Sequence, residues 1–125
     1  MLRTKFENNY ALYELEDGYL KITYKGGTFI DYEAACTIVN DRLLIQSYKT
    51  LPILCDITLV EGISSDAKDY LANYGSTLIE WVAIVSTVPT LKHMASYFVT
   101  VNKPKIPTKI FDTITEAENY IKTQL

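Results

Sequence analysis

The sequence predicts one α/β domain over residues 1–125: a mostly parallel sheet of about five strands, four helices, and an N-terminal β-hairpin that gives the sheet one antiparallel strand. Three observations carry this. Residues 51–57 and 79–85 are apolar on both faces apart from Asp56 and Glu80, as central parallel strands are. Helix-period segments alternate with the strands, which implies right-handed crossovers. Asp17-Gly18 is a tight-turn dipeptide between two alternating segments.

The elements follow in order. Residues 1–8 are polar and read as a loose lead-in. Tyr10, Leu12 and Glu14 alternate with Ala11, Tyr13 and Leu15, and residues 19–24 run back after the turn. Gly26-Gly27 ends the hairpin and belongs to no phosphate-binding loop, since neither glycine-rich fingerprint follows. Asp31 caps the first helix with Glu33 in its first turn. Ala35, Ile38, Val39, Leu43 and Ile45 form that helix's apolar face, with Asn40, Asp41 and Arg42 as polar neighbours.

Pro52 is tolerable at the start of the next strand, and a second helix begins at Ser64 or Ser65, carries Tyr70, Leu71 and Tyr74, and stops at Gly75. After the strand at 79–85, Pro89 opens a third helix whose buried stripe is Leu91, Met94, Ala95, Phe98 and Val101. Pro104 and Pro107 break the chain before a short strand, Lys109-Ile110-Phe111. Thr113-Ile114-Thr115-Glu116 reads as a capping box, and the final helix buries Ala117, Ile121 and Leu125.

Composition narrows the function. A formal charge of −3 argues against nucleic acid as the main partner, because such binders concentrate Lys and Arg on one face. Cys36 and Cys55 form neither a redox pair nor half a zinc site, and read as small buried hydrophobes in a reducing compartment. The start has no apolar core of a secretory signal, and no apolar run reaches the roughly twenty residues of a membrane span. The expected location is cytoplasmic. No signature for a cofactor, metal or catalytic residue is present, and the single His93 cannot belong to a multi-histidine site.

The element order, read with the junction from Asp56 to Ala67, resembles the SpoIIAA-like superfamily, which includes STAS domains and the CRAL-TRIO lipid carriers. The stretch from Asn102 to Asp112, followed by Glu116-Ala117-Glu118, is similar to a group of bacterial STAS-like proteins whose short last strand ends in Phe before an acidic helix. The resemblance implies a non-enzymatic domain that binds partner proteins. In STAS anti-sigma-factor antagonists a serine at the start of the helix after the central strand is phosphorylated, within a pattern of Asp-x-Ser, a spacer, an apolar residue and Asp-Ser-Ser-Gly. Here Asp56 and Thr58 match the first two sites and Ile63 the apolar one, while Ser64-Ser65-Asp66-Ala67 replaces the last four. The leading Asp and the Gly are absent, and one Ser has become Asp66.

The candidate working surface is therefore the loop with Asp56, Thr58, Ser64, Ser65 and Asp66, since ligands and partners of open α/β sheets dock beyond the carboxyl ends of the strands. Ser64 and Ser65 suit a helix N-cap, and a phosphate there would also be favoured by the free N–H groups. Asp56, Glu61, Asp66 and Asp69 lack calcium-loop spacing and read as a solvated rim. Lys103, Lys105 and Lys109 are either an anion-facing run or a charged edge that discourages strand pairing.

The ten tyrosines suggest a partly exposed aromatic patch, with Tyr10, Tyr13, Tyr19 and Tyr24 along one side of the hairpin and Tyr97 beside the third helix's apolar stripe, and with it a dimer contact. The leading expectation is a regulatory module that binds another protein. The alternative is a carrier of a small apolar or anionic, lipid-type ligand, which needs a cavity of at least about 300 Å³.

Overall fold

The computed structural model describes residues 4–125. Eight strands and four helices follow one another as β1 (Lys5–Glu7), β2 (Ala11–Leu15), β3 (Leu20–Tyr24), β4 (Thr28–Ile30), α1 (Tyr32–Ile45), β5 (Leu51–Asp56), β6 (Val60–Ile63), α2 (Ser65–Ala72), β7 (Ile79–Val85), α3 (Pro89–Tyr97), β8 (Thr108–Phe111) and α4 (Ile114–Gln124). Six strands form the main sheet in the order β1-β2-β3-β5-β7-β8. The pairs β3–β5, β5–β7 and β7–β8 are parallel, and β2 runs antiparallel to both its neighbours. The architecture is the mostly parallel sheet with one antiparallel strand that the sequence implied.

Period-2 alternation in the central strands serves two cores. Ile53 and Ile84 point to one face with Leu20 and Ile22, beneath Ala34, Ala35 and Ile38 of α1, Ala67 of α2, and Leu91 and Ala95 of α3. Leu54, Ala83 and Val85 point to the other, where Tyr19 joins Ala117 and Ile121 of α4. Three helices thus cover one face and a single helix the other. Beside α4, Trp81 and Phe111 each meet Tyr120 with ring centroids 5.4 Å apart.

Several expectations give way. The lead-in is not loose where it is described: Lys5–Glu7 extends the hairpin as an edge strand, in register with residues 12–14 of β2, and residues 1–3 lie outside the described set. Gly26-Gly27 leads directly into β4, which pairs in parallel with β6 as a separate two-stranded sheet. The hairpin tyrosines are not a patch: Tyr13, Tyr19 and Tyr24 are buried, Tyr13 and Tyr24 on the three-helix face and Tyr19 on the opposite one. Tyr97 is exposed as that reading allowed, and the other exposed rings are Phe29, Tyr32, Tyr48 and Tyr74.

Gly75 does not stop α2. The helix ends at Ala72, and Gly75 is buried in a 3₁₀ turn, Tyr74–Ser76, where a Cβ would lie 3.3 Å from Leu71. After Tyr97 the chain continues as a π-helical turn, Phe98–Asn102, and its wider spacing rotates Val101 out of the apolar stripe into solvent. Leu125 lies beyond the last turn of α4 and is exposed. Cys36 and Cys55 are free and only partly buried.

Candidate functional site

The proposed rim is built where β5 ends. Asp56 Oδ1 accepts the Thr58 N–H at 3.0 Å, an Asx turn that folds the chain back, and Val60 N–H then donates to the Ile57 carbonyl at 3.0 Å. Ile57 stays buried and its N–H bonds the Val85 carbonyl at 2.9 Å, so the turn is fixed to β7. The chain runs back along β4 as β6, and the Ser64 N–H donates to the Ile30 carbonyl at 2.9 Å. The small β4–β6 sheet therefore sets the starting point of α2.

At that start the two serines differ. Ser64 is the N-cap, its Oγ accepting the Ala67 N–H at 3.3 Å and donating to Asp66 Oδ1 at 2.5 Å. Asp66 Oδ1 also accepts the Ala67 N–H, at 2.9 Å. Serine and carboxylate share one helix N–H, and the negative charge sits where the helix dipole favours it. Ser65 is exposed, and among the described residues its side chain has no hydrogen-bond partner.

The structure adds to this rim two apolar residues that the sequence reading did not pick out. Phe29 is 55 % exposed and Leu59 59 % exposed. Phe29 is paired with Gly62 and lies across it, since a Cβ at Gly62 would meet the ring at 3.1 Å. A side chain there would press on the ring, which would have to shift by a few tenths of an ångström. Leu59 lies over Gly26, whose Cβ position is 3.8 Å from Leu59 Cδ1. Tyr32, Tyr70 and Tyr74 form a chain of rings with centroids 5.3 and 5.4 Å apart. Asp31, Glu33, Glu61, Asp66 and Asp69, which lie near these residues in the chain, are exposed. Desolvation pushes the Tyr70 phenol up to about 12, and the contact with Cys36 raises that of Tyr32, so both rings stay neutral.

The three lysines do not form one face. Lys103 closes the π-helical turn in a left-handed conformation, and the Lys105 N–H donates to the Ala72 carbonyl at the C-terminal end of α2. Lys109 lies on β8 with its Nζ 4.4 Å from the centre of the Tyr120 ring, a cation–π contact on the α4 side. His93 is exposed on α3. Among the described residues no group of three or more His, Cys, Asp or Glu could hold a metal ion, and no helix is long and apolar enough to cross a membrane.

Beneath α1, α2 and α3 lies an apolar cavity of about 120 Å³, walled by Ile22, Ile38, Ile53, Val82, Leu71 and Met94 among others. It is too small for the long acyl chain of a lipid. A wider recess of about 880 Å³ between the hairpin and the end of α1 carries Glu7, Glu16, Asp41 and Lys49 on its wall. Neither is the apolar chamber that a lipid carrier requires.

This geometry is that of the SpoIIAA-like class. A protein of the DUF3478 family from Shewanella loihica PV-4, described as uncharacterized and with a SpoIIAA-like fold, superimposes with a TM-score of 0.64 at 17 % identity, over 92 % of this chain and 97 % of that one. The anti-sigma factor antagonist SpoIIAA in its unphosphorylated form superimposes with a TM-score of 0.58 at 12 % identity, over 92 % and 99 %. At such identities the likeness establishes the fold. The chain belongs to the family described as a domain of unknown function, DUF7793, whose profile matches residues 13–125. No curated protein sequence matches it.

Proposed function

We propose that this chain is a non-enzymatic regulatory domain that binds another protein on the rim formed by the Asp56–Thr58 turn, β6 and the start of α2. The observation that carries the reading is the pair Phe29 and Leu59, each more than half exposed, with Phe29 lying across Gly62 two residues before Ser64. Large exposed apolar side chains mark interaction sites, and the exposed carboxylates near them in the chain suit a partner with basic residues around an apolar recess. The likeness to an anti-sigma factor antagonist, a protein known in an unphosphorylated form, supports regulation through binding. Ser65, exposed and unbonded, is the residue a kinase would modify; Ser64 is committed to the cap. Two free cysteines suit the reducing cytoplasm, where we place it.

The test is affinity capture from native lysate with the parent, Phe29→Asp, Ser65→Asp and an α4-face control, Asn119→Asp. The reading expects a partner retained by the parent and the control and lost with Phe29→Asp. Loss with Ser65→Asp as well assigns the switch to that serine, and unchanged capture with Ser65→Asp leaves it without a regulatory role. Equal retention by all four overturns the rim. A second copy of this chain as the partner would appear as a dimer in sedimentation, broken by Phe29→Asp.

A further inference from the structure

We propose that the apolar cavity under α1–α3 binds a small monocarboxylate with a compact hydrocarbon body, its carboxylate held by Arg42. Arg42 is 2 % exposed and contributes to the cavity wall. Its guanidinium donates to Gln46 Oε1 and, at 3.0 Å, to the carbonyl of Gly75, both neutral acceptors. Among the described residues the ion pairs are Lys5–Glu14, Lys21–Glu118, Lys25–Glu7 and Lys92–Asp112; none includes Arg42.

The titratable groups around the guanidinium are the Cys55 thiol and the phenols of Tyr13, Tyr24 and Tyr70. Burial pushes Cys55 up to about 11 and Tyr24 further above its ordinary range, so both stay neutral at physiological pH. A full positive charge is thus held out of water with only dipoles for compensation. Buried charges in proteins are ordinarily paired.

Cavity and cation lie together, and their combination defines the ligand. Engineered apolar cavities of roughly 150 Å³ hold benzene, a six-carbon body. At about 120 Å³ this one fits a branched chain of a few carbons, while the planar fork of arginine matches a carboxylate. Neutral hydrocarbons would fill the space and leave the Arg42 cation unpaired. Met94, an unbranched and adaptable side chain, and Phe98 at the start of the π-helical turn also line the wall. This inference is independent of the docking rim.

Arg42 also ties α1 to the Gly75 turn, and a purely structural role would need no ligand. Binding of sodium isovalerate and of isovaleramide, its neutral analogue of nearly the same shape, separates the two. The titration follows amide resonances of Ile53, Val82 and Leu71 and the alkylation rate of Cys55, which also lines the cavity. The proposal expects saturable shifts at these residues, slowed Cys55 alkylation, and at least fivefold tighter binding of the acid than of the amide. In Arg42→Met that preference disappears. A smaller ratio in the parent, or no cavity shifts with either compound at millimolar concentration, overturns it. Should Arg42→Met fail to fold, the acid-to-amide ratio in the parent decides alone.

Discussion

Removing the Ser64 hydroxyl tests how the start of α2 is held, and with it which serine is free to regulate. An N-cap serine replaced by alanine ordinarily costs about 1 kcal/mol. Here the Ser64 Oγ to Ala67 N distance of 3.3 Å lies beyond the usual range, and Asp66 Oδ1 bonds the same N–H at 2.9 Å. Ser64→Ala therefore leaves the N–H satisfied and is expected to cost only about 0.5 kcal/mol. Asp66→Ala removes the stronger acceptor and the favourable charge at the dipole, leaves Ser64 to close in, and is expected to cost about 1 kcal/mol.

With both gone the N–H has no side-chain acceptor, in an eight-residue helix whose buried anchors are Ala67 and Ala72. The double variant should lose about 2 kcal/mol, more than the sum of the singles. Urea denaturation followed by circular dichroism resolves this, since 0.5 kcal/mol shifts the midpoint by roughly 0.3 M at a typical slope. A Ser64→Ala cost of about 1.5 kcal/mol or more, with additive effects, would refute the shared cap.

The remaining predictions concern the cores and pH. Leu54, wholly buried beneath α4, should cost about 3–5 kcal/mol as Leu54→Ala, whereas exposed Leu44→Ala should change urea stability by less than about 0.5 kcal/mol. Tyr13→Phe removes a buried hydroxyl that donates to the Ile38 carbonyl at 2.9 Å, with an expected loss of about 1–1.5 kcal/mol by the same assay. Cys55 has its thiol pKa raised to about 11 from an ordinary 9.0, so the stability it contributes is complete below pH 9 and is lost as pH rises toward 11, because the unfolded thiol ionises first. The gap between parent and Cys55→Ala should therefore narrow by roughly 1 kcal/mol between about pH 8 and 10, and a constant gap would count against the buried neutral thiol.

Much of the fold was legible because its central strands are apolar on both faces, and Asp31, Pro89 and Thr113 sit where helix starts demand them. The rim was legible only in part. The sequence located the turn after Ile57, but β4 and β6 are three and four residues long and stabilise each other only by pairing, which no local pattern announces. Thr28-Phe29-Ile30, a β-prone triplet after two glycines, was the available signal.

Arg42 was set among polar neighbours on charge alone, although its spacing from Ala35, Ile38 and Val39 places it on their face of α1. Residue parity along 19–24, read as one extended segment, likewise puts Tyr19 and Tyr24 on opposite faces, which rules out a shared patch. The rotation at the π-helical turn that exposes Val101 has no sequence cue of comparable strength.

Site-specific photo-crosslinking in cells tests the central claim most directly, with a benzoyl-phenylalanine at position 29 compared with one at position 119 on α4. Docking on the rim predicts a discrete protein adduct from position 29, suppressed by raised salt, and none from position 119. An adduct from position 119 alone, equal labelling at both, or none at position 29 would contradict it.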